Sequence, residues 1–170
     1  MSAGRWALPE GVEETLPPDS WRLEALRRQL LDRYREAGFE LVIPALIEHL
    51  PSAGFDGDVD AQTLKMTDPA SGRLLRLRAD MTPQAARIAA LQFRAAAVVR
   101  LCYLGSVLRA AADGPGGPRA LIQVGCEIFG QPDLSADLEA LELMLLTLST
   151  AAVAPLSVGL GHAGIYRALA

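Results

Sequence analysis

Apolar positions along the chain follow two periods, and the change from one to the other marks out its elements. Between residues 100 and 130 the period is two. Ile122, Val124, Cys126 and Ile128 alternate with Gln123, Gly125 and Glu127, while Cys102, Leu104 and Leu108 alternate with Tyr103, Gly105 and Arg109. The turn-forming run at 112–118 separates these stretches and predicts a long β-hairpin. Earlier, Leu23, Leu26, Leu30, Tyr34 and Ala37 recur at steps of three and four, the stripe of a helix. That helix is expected to start with Ser20 as N-cap, to hold Glu24 near the positive end of its dipole, and to stop at Gly38. Residues 39–43 read as a short apolar strand ended by Pro44.

Residues 63–67 and 73–79 flank Asp68-Pro-Ala-Ser-Gly72, a set of turn formers, and predict a second hairpin. Thr82 as N-cap and Pro83 at the first helical position open a helix to about Gln92. Ser135 is expected to begin another helix, with Asp137 and Glu139 in its first turn and Leu138, Leu141, Leu145 and Leu148 as its stripe. A strand over 156–160 and a helix from Ile165 complete the expectation, with an extended arm before Asp19 and a mobile Gly- and Asp-rich loop at 51–60. No repeat or linker divides residues 1–170, so the expected fold is one α+β unit of antiparallel strands with helices on one face.

Composition narrows the function classes. With 170 residues, 51% of them hydrophobic, the chain can bury a sizeable core. A net charge of -4 with scattered arginines weighs against a nucleic-acid partner. No apolar run reaches the length of a membrane span and no signal-peptide layout is present, so the expected location is the cytoplasm. Cys102 and Cys126 sit within apolar alternation and read as buried free thiols. His49 and His162 are too isolated for a zinc site, and no metal or cofactor is expected.

The polar face of the 100–130 hairpin offers a cation, an amide, a carboxylate, a phenol and two glycines that clear space above the sheet. This is the inventory of a pocket floor for a zwitterion; an ordinary solvated sheet face is the competing reading. Asp80 and Thr82 fall at a strand-to-helix corner near free N–H groups, where a ligand could meet them, although a plain cap and a bystander aspartate would look the same.

At Arg78-Ala-Asp-Met-Thr-Pro-Gln and at 100–130 the sequence resembles the histidyl-tRNA synthetase branch of the class II aminoacyl-tRNA synthetase fold, over nearly the whole chain. The first helix and the strand ending at Pro44 are similar to motif 1, a dimer-interface element. The central hairpin is similar to motif 2, with Arg109 at its arginine. The RADMTPQAAR string resembles the Arg-Pro-Glu-Gly-Thr segment, with Asp80 in place of the glutamate and Thr82 at the threonine. The resemblance implies that Asp80, Thr82 and Gln123 hold a histidine α-ammonium, that Arg109 holds its carboxylate, and that Glu127 lies toward the imidazole.

Departures from the family pattern bear on activity. Ala111 stands where a synthetase has a glutamate for the adenine end of ATP, Leu121 stands where an aromatic residue would stack, and the loop tip Asp113-Gly-Pro-Gly-Gly-Pro118 has no basic residue. Without those groups adenylate chemistry loses its positioning and charge stabilisation.

The combination is similar to the synthetase-like family of ATP phosphoribosyltransferase regulatory subunits, as are the strings Ser71-Gly-Arg, Arg100-Leu-Cys-Tyr-Leu-Gly-Ser-Val-Leu-Arg and Gly161-His-Ala-Gly-Ile-Tyr-Arg. It implies a non-catalytic partner of the short catalytic subunit in histidine biosynthesis, needed for activity and for feedback inhibition by histidine, within a hetero-octamer that self-associates through the motif 1-like element. An active histidyl-tRNA synthetase and a purely structural dimerisation domain are the alternatives. Class II cores continue to motif 3 and to a further histidine-binding segment; neither precedes Ala170, so a shortened, amino-terminal part of the core is expected.

Overall fold

A strand pair with apolar residues on both parities must be covered on both sides, and the architecture follows from that requirement. A computed structural model describes residues 7–50, 62–161 and 164. The elements are α1 (Asp19–Glu36), β1 (Glu40–Leu41), β2 (Ile47–His49), β3 (Lys65–Thr67), β4 (Leu74–Leu77), α2 (Thr82–Gln92), β5 (Val99–Leu108), β6 (Ala120–Phe129) and α3 (Leu134–Thr150). β5 and β6 form the expected antiparallel hairpin, with Gly105 opposite Gln123, Tyr103 opposite Gly125 and Leu101 opposite Glu127. β1 adds to β5 in parallel, giving the order β1-β5-β6. A smaller sheet, β2-β4-β3, includes the predicted second hairpin and a strand, β2, that the sequence pattern does not predict.

Helices lie on both faces of the hairpin, which corrects the expected one-sided packing. Leu30, Tyr34 and Leu143 from α1 and α3 pack on Cys102, Leu104, Val124, Cys126 and Ile128. On the opposite face Ala85 of α2 and Met81 before it pack on Tyr103, Val107 and Leu121, and Ala89 packs with Val99 and Leu101. The even parity is apolar apart from Arg100 and Ser106, much as expected. The odd parity mixes its polar groups with Leu101 and Val107, which need cover of their own.

Helix ends differ from the expectation in detail. α1 starts at Asp19 with Pro18 in the N-cap position, so Ser20 lies inside the first turn. Its other end closes as expected: Gly38 takes φ +82, and the N–H groups of Gly38 and Phe39 donate to the Arg35 and Tyr34 carbonyls at 3.0 and 2.9 Å. Thr82 is the first helical residue of α2, with Met81 as N-cap. Asp133 caps α3, its carboxylate accepting from the Ser135 N–H at 2.9 Å, so Ser135 lies inside the helix.

The stripe of α3 is also rotated from the one expected. Ala136 and Leu143 are buried while Leu138 and Leu145 are exposed. Leucines surround this helix, and its polar contacts set the face instead. The Tyr34 hydroxyl meets Thr147 Oγ1 at 2.6 Å, and Arg100 on β5 grips Glu139 through two bonds of 3.1 and 2.9 Å. That guanidinium holds the Glu139 carboxyl below the usual carboxylate range.

Residues 156–160 form no strand, because no strand among the described residues lies alongside to complete a ladder. The loop at 51–60, His162 and the helix expected from Ile165 lie outside the described residues. No helix of the described residues is long and apolar enough to cross a membrane. Cys102 and Cys126 are free thiols facing each other across the hairpin, and burial pushes them up to about 11 and about 12.

Gly130 ends β6 with φ +83, and a Cβ there would lie 2.2 Å from the Ala97 carbonyl oxygen. Gly130→Ala is therefore expected to destabilise the chain by at least about 2 kcal/mol in urea unfolding, the cost of a left-handed non-glycine residue plus a backbone clash. An unchanged midpoint would contradict this placement.

Candidate functional site

The site begins where the two sheets meet. The Arg78 backbone N–H donates to Leu46 O at 3.0 Å, and its carbonyl accepts from Leu108 N at 3.0 Å. Its guanidinium donates to Ser106 O at 2.7 Å and to Pro44 O at 2.6 Å. A Cβ on Gly105 would lie 2.8 Å from Arg78 Nη2, so the space over Gly105 belongs to this side chain. Gly125 works the same way for Tyr103, whose oxygen would be 2.4 Å from an added Cβ. The glycines clear room, as the pattern predicts, but the chain's own side chains occupy it.

With Arg78 anchored, the next residues turn into α2 and present Asp80 and Thr82 to the odd face of the hairpin. Gln123 Nε2 donates to Asp80 Oδ1 at 2.7 Å, and its Oε1 accepts from the Met81 N–H at 2.8 Å. Asp80 Oδ1 also accepts from the Thr82 N–H at 2.9 Å, closing the first turn of the helix. Tyr103 extends the chain of bonds: its hydroxyl lies 2.8 Å from Thr82 Oγ1 and donates to Glu127 Oε1 at 2.9 Å. Burial pushes the Tyr103 phenol well above its ordinary range, opposed by the Thr82 hydrogen bond and reinforced by Glu127 and Asp80.

Four of the five residues singled out, Asp80, Thr82, Gln123 and Glu127, thus belong to one continuous network. Arg109 stands apart. It lies one strand-row past Leu108, roughly 13 Å along β5 from the Gln123 row at the rise of an extended strand. Its guanidinium is paired with Asp113 of the hairpin loop, and its buried Nε has no acceptor. Leu121 packs with Met81 and Tyr103, and Ala111 is exposed.

Two residues that build the site, Tyr103 and Arg78, are only partly read by sequence reasoning. Tyr103 falls on the polar face without an evident role, although its position across from Gly125 is a signal, since an aromatic residue beside a glycine is a favoured cross-strand pair. Arg78 enters only as part of a motif, and nothing local announces a guanidinium aimed at two distant carbonyls.

Chemically the network is rich in acceptors: two carboxylates and a hydroxyl, backed by one amide. Such a set holds a donor-bearing ligand, an ammonium or a ring N–H. It contains no nucleophile beside a base, and the phenol is held protonated. Open apolar clefts lie elsewhere, on the helix-covered even face beside α3. They are lined by groups such as Val124, Leu143 and Leu148 and offer little to a polar ligand.

Comparison with known proteins identifies the family and the fold. A family model described as histidyl-tRNA synthetase matches residues 11–170. An ATP phosphoribosyltransferase regulatory subunit of Thiobacillus denitrificans is 52% identical over 167 residues, covering 97% of this chain and 52% of that protein. One of the same name from Thioalkalivibrio sulfidiphilus is 49% identical over 170 residues, covering 99% of this chain and 43% of that protein. The solved structure titled ATP phosphoribosyltransferase regulatory subunit/histidyl-tRNA synthetase from Bacillus halodurans superposes with a TM-score of 0.81 at 27% identity, covering 99% of this chain and 44% of its own. The chain thus spans about half the length of the curated relatives it matches.

Gln123→Leu would leave the Met81 N–H and Asp80 without their partner. The expected result is a loss of about 1 to 3 kcal/mol in stability, the cost of an unpaired buried polar group, with faster amide exchange in the first turn of α2. Unchanged exchange there would contradict the network.

Proposed function

Since the chain belongs to the histidyl-tRNA synthetase family and has its class II fold, we propose that it acts as the regulatory subunit of ATP phosphoribosyltransferase, a glycosyltransferase complex of histidine biosynthesis. In this reading it is the amino-terminal part of a non-catalytic synthetase-like core. It binds free histidine, is required for activity of the short catalytic subunit, and takes part in feedback inhibition within a hetero-octamer. The supporting observation is the contrast within one hairpin. The acceptors Asp80, Thr82, Gln123 and Glu127 are linked together, while the positions that would serve a nucleotide hold Ala111, Leu121 and a loop without a basic residue. Relatives bearing the regulatory-subunit name over nearly all of this chain support the same choice against an active histidyl-tRNA synthetase.

Histidine would place its ammonium against Asp80 and Thr82 and its ring against Glu127. Arg109 would reach the carboxylate only by exchanging Asp113 for it. Self-association through α1 and β1 is supported by the exposed apolar residues Leu41, Ile43, Leu46 and Ile47 in and after β1. The expected location is the cytoplasm.

Mixing the protein with the short catalytic subunit is expected to raise phosphoribosyltransferase rates and to make them inhibitable by histidine. No change in rate, or histidine-dependent exchange of pyrophosphate into ATP by the protein alone, would overturn the proposal. Arg109→Ala should weaken histidine binding by about 1.5 to 3 kcal/mol in calorimetry, the range for bonds to charged groups. Unaltered affinity would remove Arg109 from the site.

A further inference from the structure

Hydrogen counting settles the direction of the bonds around Tyr103. The phenol has one hydrogen, and a carboxylate can only accept, so that hydrogen goes to Glu127 Oε1, 2.9 Å away. The Tyr103 oxygen must then receive its 2.8 Å contact from Thr82, which commits the only hydroxyl hydrogen of Thr82 to the interior. Thr82 Oγ1 is left to face outward as an acceptor, and Glu127 is held by one oxygen with the other still able to accept. Tyr103 is 2% exposed and sits in the Met81, Ala85 and Val107 cluster, so water cannot readily rotate or replace its hydroxyl. Gly125 directly opposite is what lets the ring cross toward β6, since any Cβ there would strike the phenol.

From this geometry we infer that Tyr103 is a specificity-determining positioning residue. Its single hydroxyl fixes Thr82 as an acceptor and pins the orientation of the Glu127 carboxylate, so that the site selects a ligand presenting a hydrogen-bond donor at both ends, an α-ammonium and a ring N–H. The inference rests on the histidine site proposed above and adds a residue that does not itself touch the ligand. The end oxygens of the relay stand no farther apart than two hydrogen bonds laid end to end. That is the reach of one small amino acid. Loss of the hydroxyl frees Thr82 to donate or accept and frees Glu127 to turn, and discrimination falls at both ends at once. A side chain that only filled space would weaken every ligand by one common factor.

Calorimetry with Tyr103→Phe, which keeps the ring and removes the oxygen, distinguishes these outcomes. The ligands are histidine, its des-amino analogue imidazolepropionate, and histidine methylated on a ring nitrogen. The wild-type protein is expected to prefer histidine strongly over both analogues. In the variant histidine should bind about tenfold more weakly, with both preferences reduced. Equal weakening of all three ligands, or an unchanged preference at either end, would overturn the inference while leaving the histidine site standing. Failure of the wild-type protein to bind histidine would overturn the site and the inference together. Thr82→Val, at an exposed position, supplies an independent measurement if the first variant does not fold: Tyr103 still donates to Glu127, so the preference for histidine over imidazolepropionate should fall while the preference against ring methylation persists, and any other pattern would count against the relay.

Discussion

Everything in this chain depends on the register of β5 against β6. Three consecutive residues of β5, Leu101, Cys102 and Tyr103, are 0%, 1% and 2% exposed, which is possible only in a strand covered on both faces. Because side chains alternate, a slip of one residue would send Tyr103 into the α1 and α3 layer and Cys102 toward α2. The apolar core on one side and the polar network on the other are therefore two consequences of a single pairing.

Glycine makes the polar face workable. Gly105 and Gly125 leave gaps that the Arg78 guanidinium and the Tyr103 ring fill, so the corner before α2 is tied to the hairpin through side chains that cross the sheet. Burying these polar groups costs little because their bonds are made, and each bond restricts the rotamers of the next. Among the described residues two exceptions, Arg109 Nε and Gln84 Oε1, are buried without a partner. Arg109 is a residue that the family resemblance assigns to a ligand, whereas Gln84 lines a narrow crevice that it shares with Asp80.

Much of this is legible in the sequence because period and punctuation act locally. The hairpin with its two parities, the stripe of α1 and its stop at Gly38, and the turn at 68–72 all follow from spacing and from what glycine and proline permit. What is not legible is decided at a distance. The rotation of α3 is set by Thr147 and Glu139 meeting Tyr34 and Arg100, which a leucine-rich periodicity cannot report. Two-sided cover cannot be read from Gln123 and Glu127, which resemble solvated residues until Leu101 and Val107 of the same parity are considered. For the site, residue types and face are readable, but the role of Tyr103 and the separation of Arg109 require the register and the loop conformation.

In the function proposed here, the hairpin offers grips suited to a small donor-bearing ligand, while Ala111 and Leu121 stand where the family resemblance places the groups for adenine. The most direct test is a backbone-resolved nuclear magnetic resonance titration of the protein with histidine and, separately, with ATP and magnesium. The account predicts histidine-induced shifts centred on Asp80, Thr82, Gln123 and Glu127 with no comparable response to ATP. Shifts at the hairpin with ATP, or histidine shifts centred away from these residues, would contradict it.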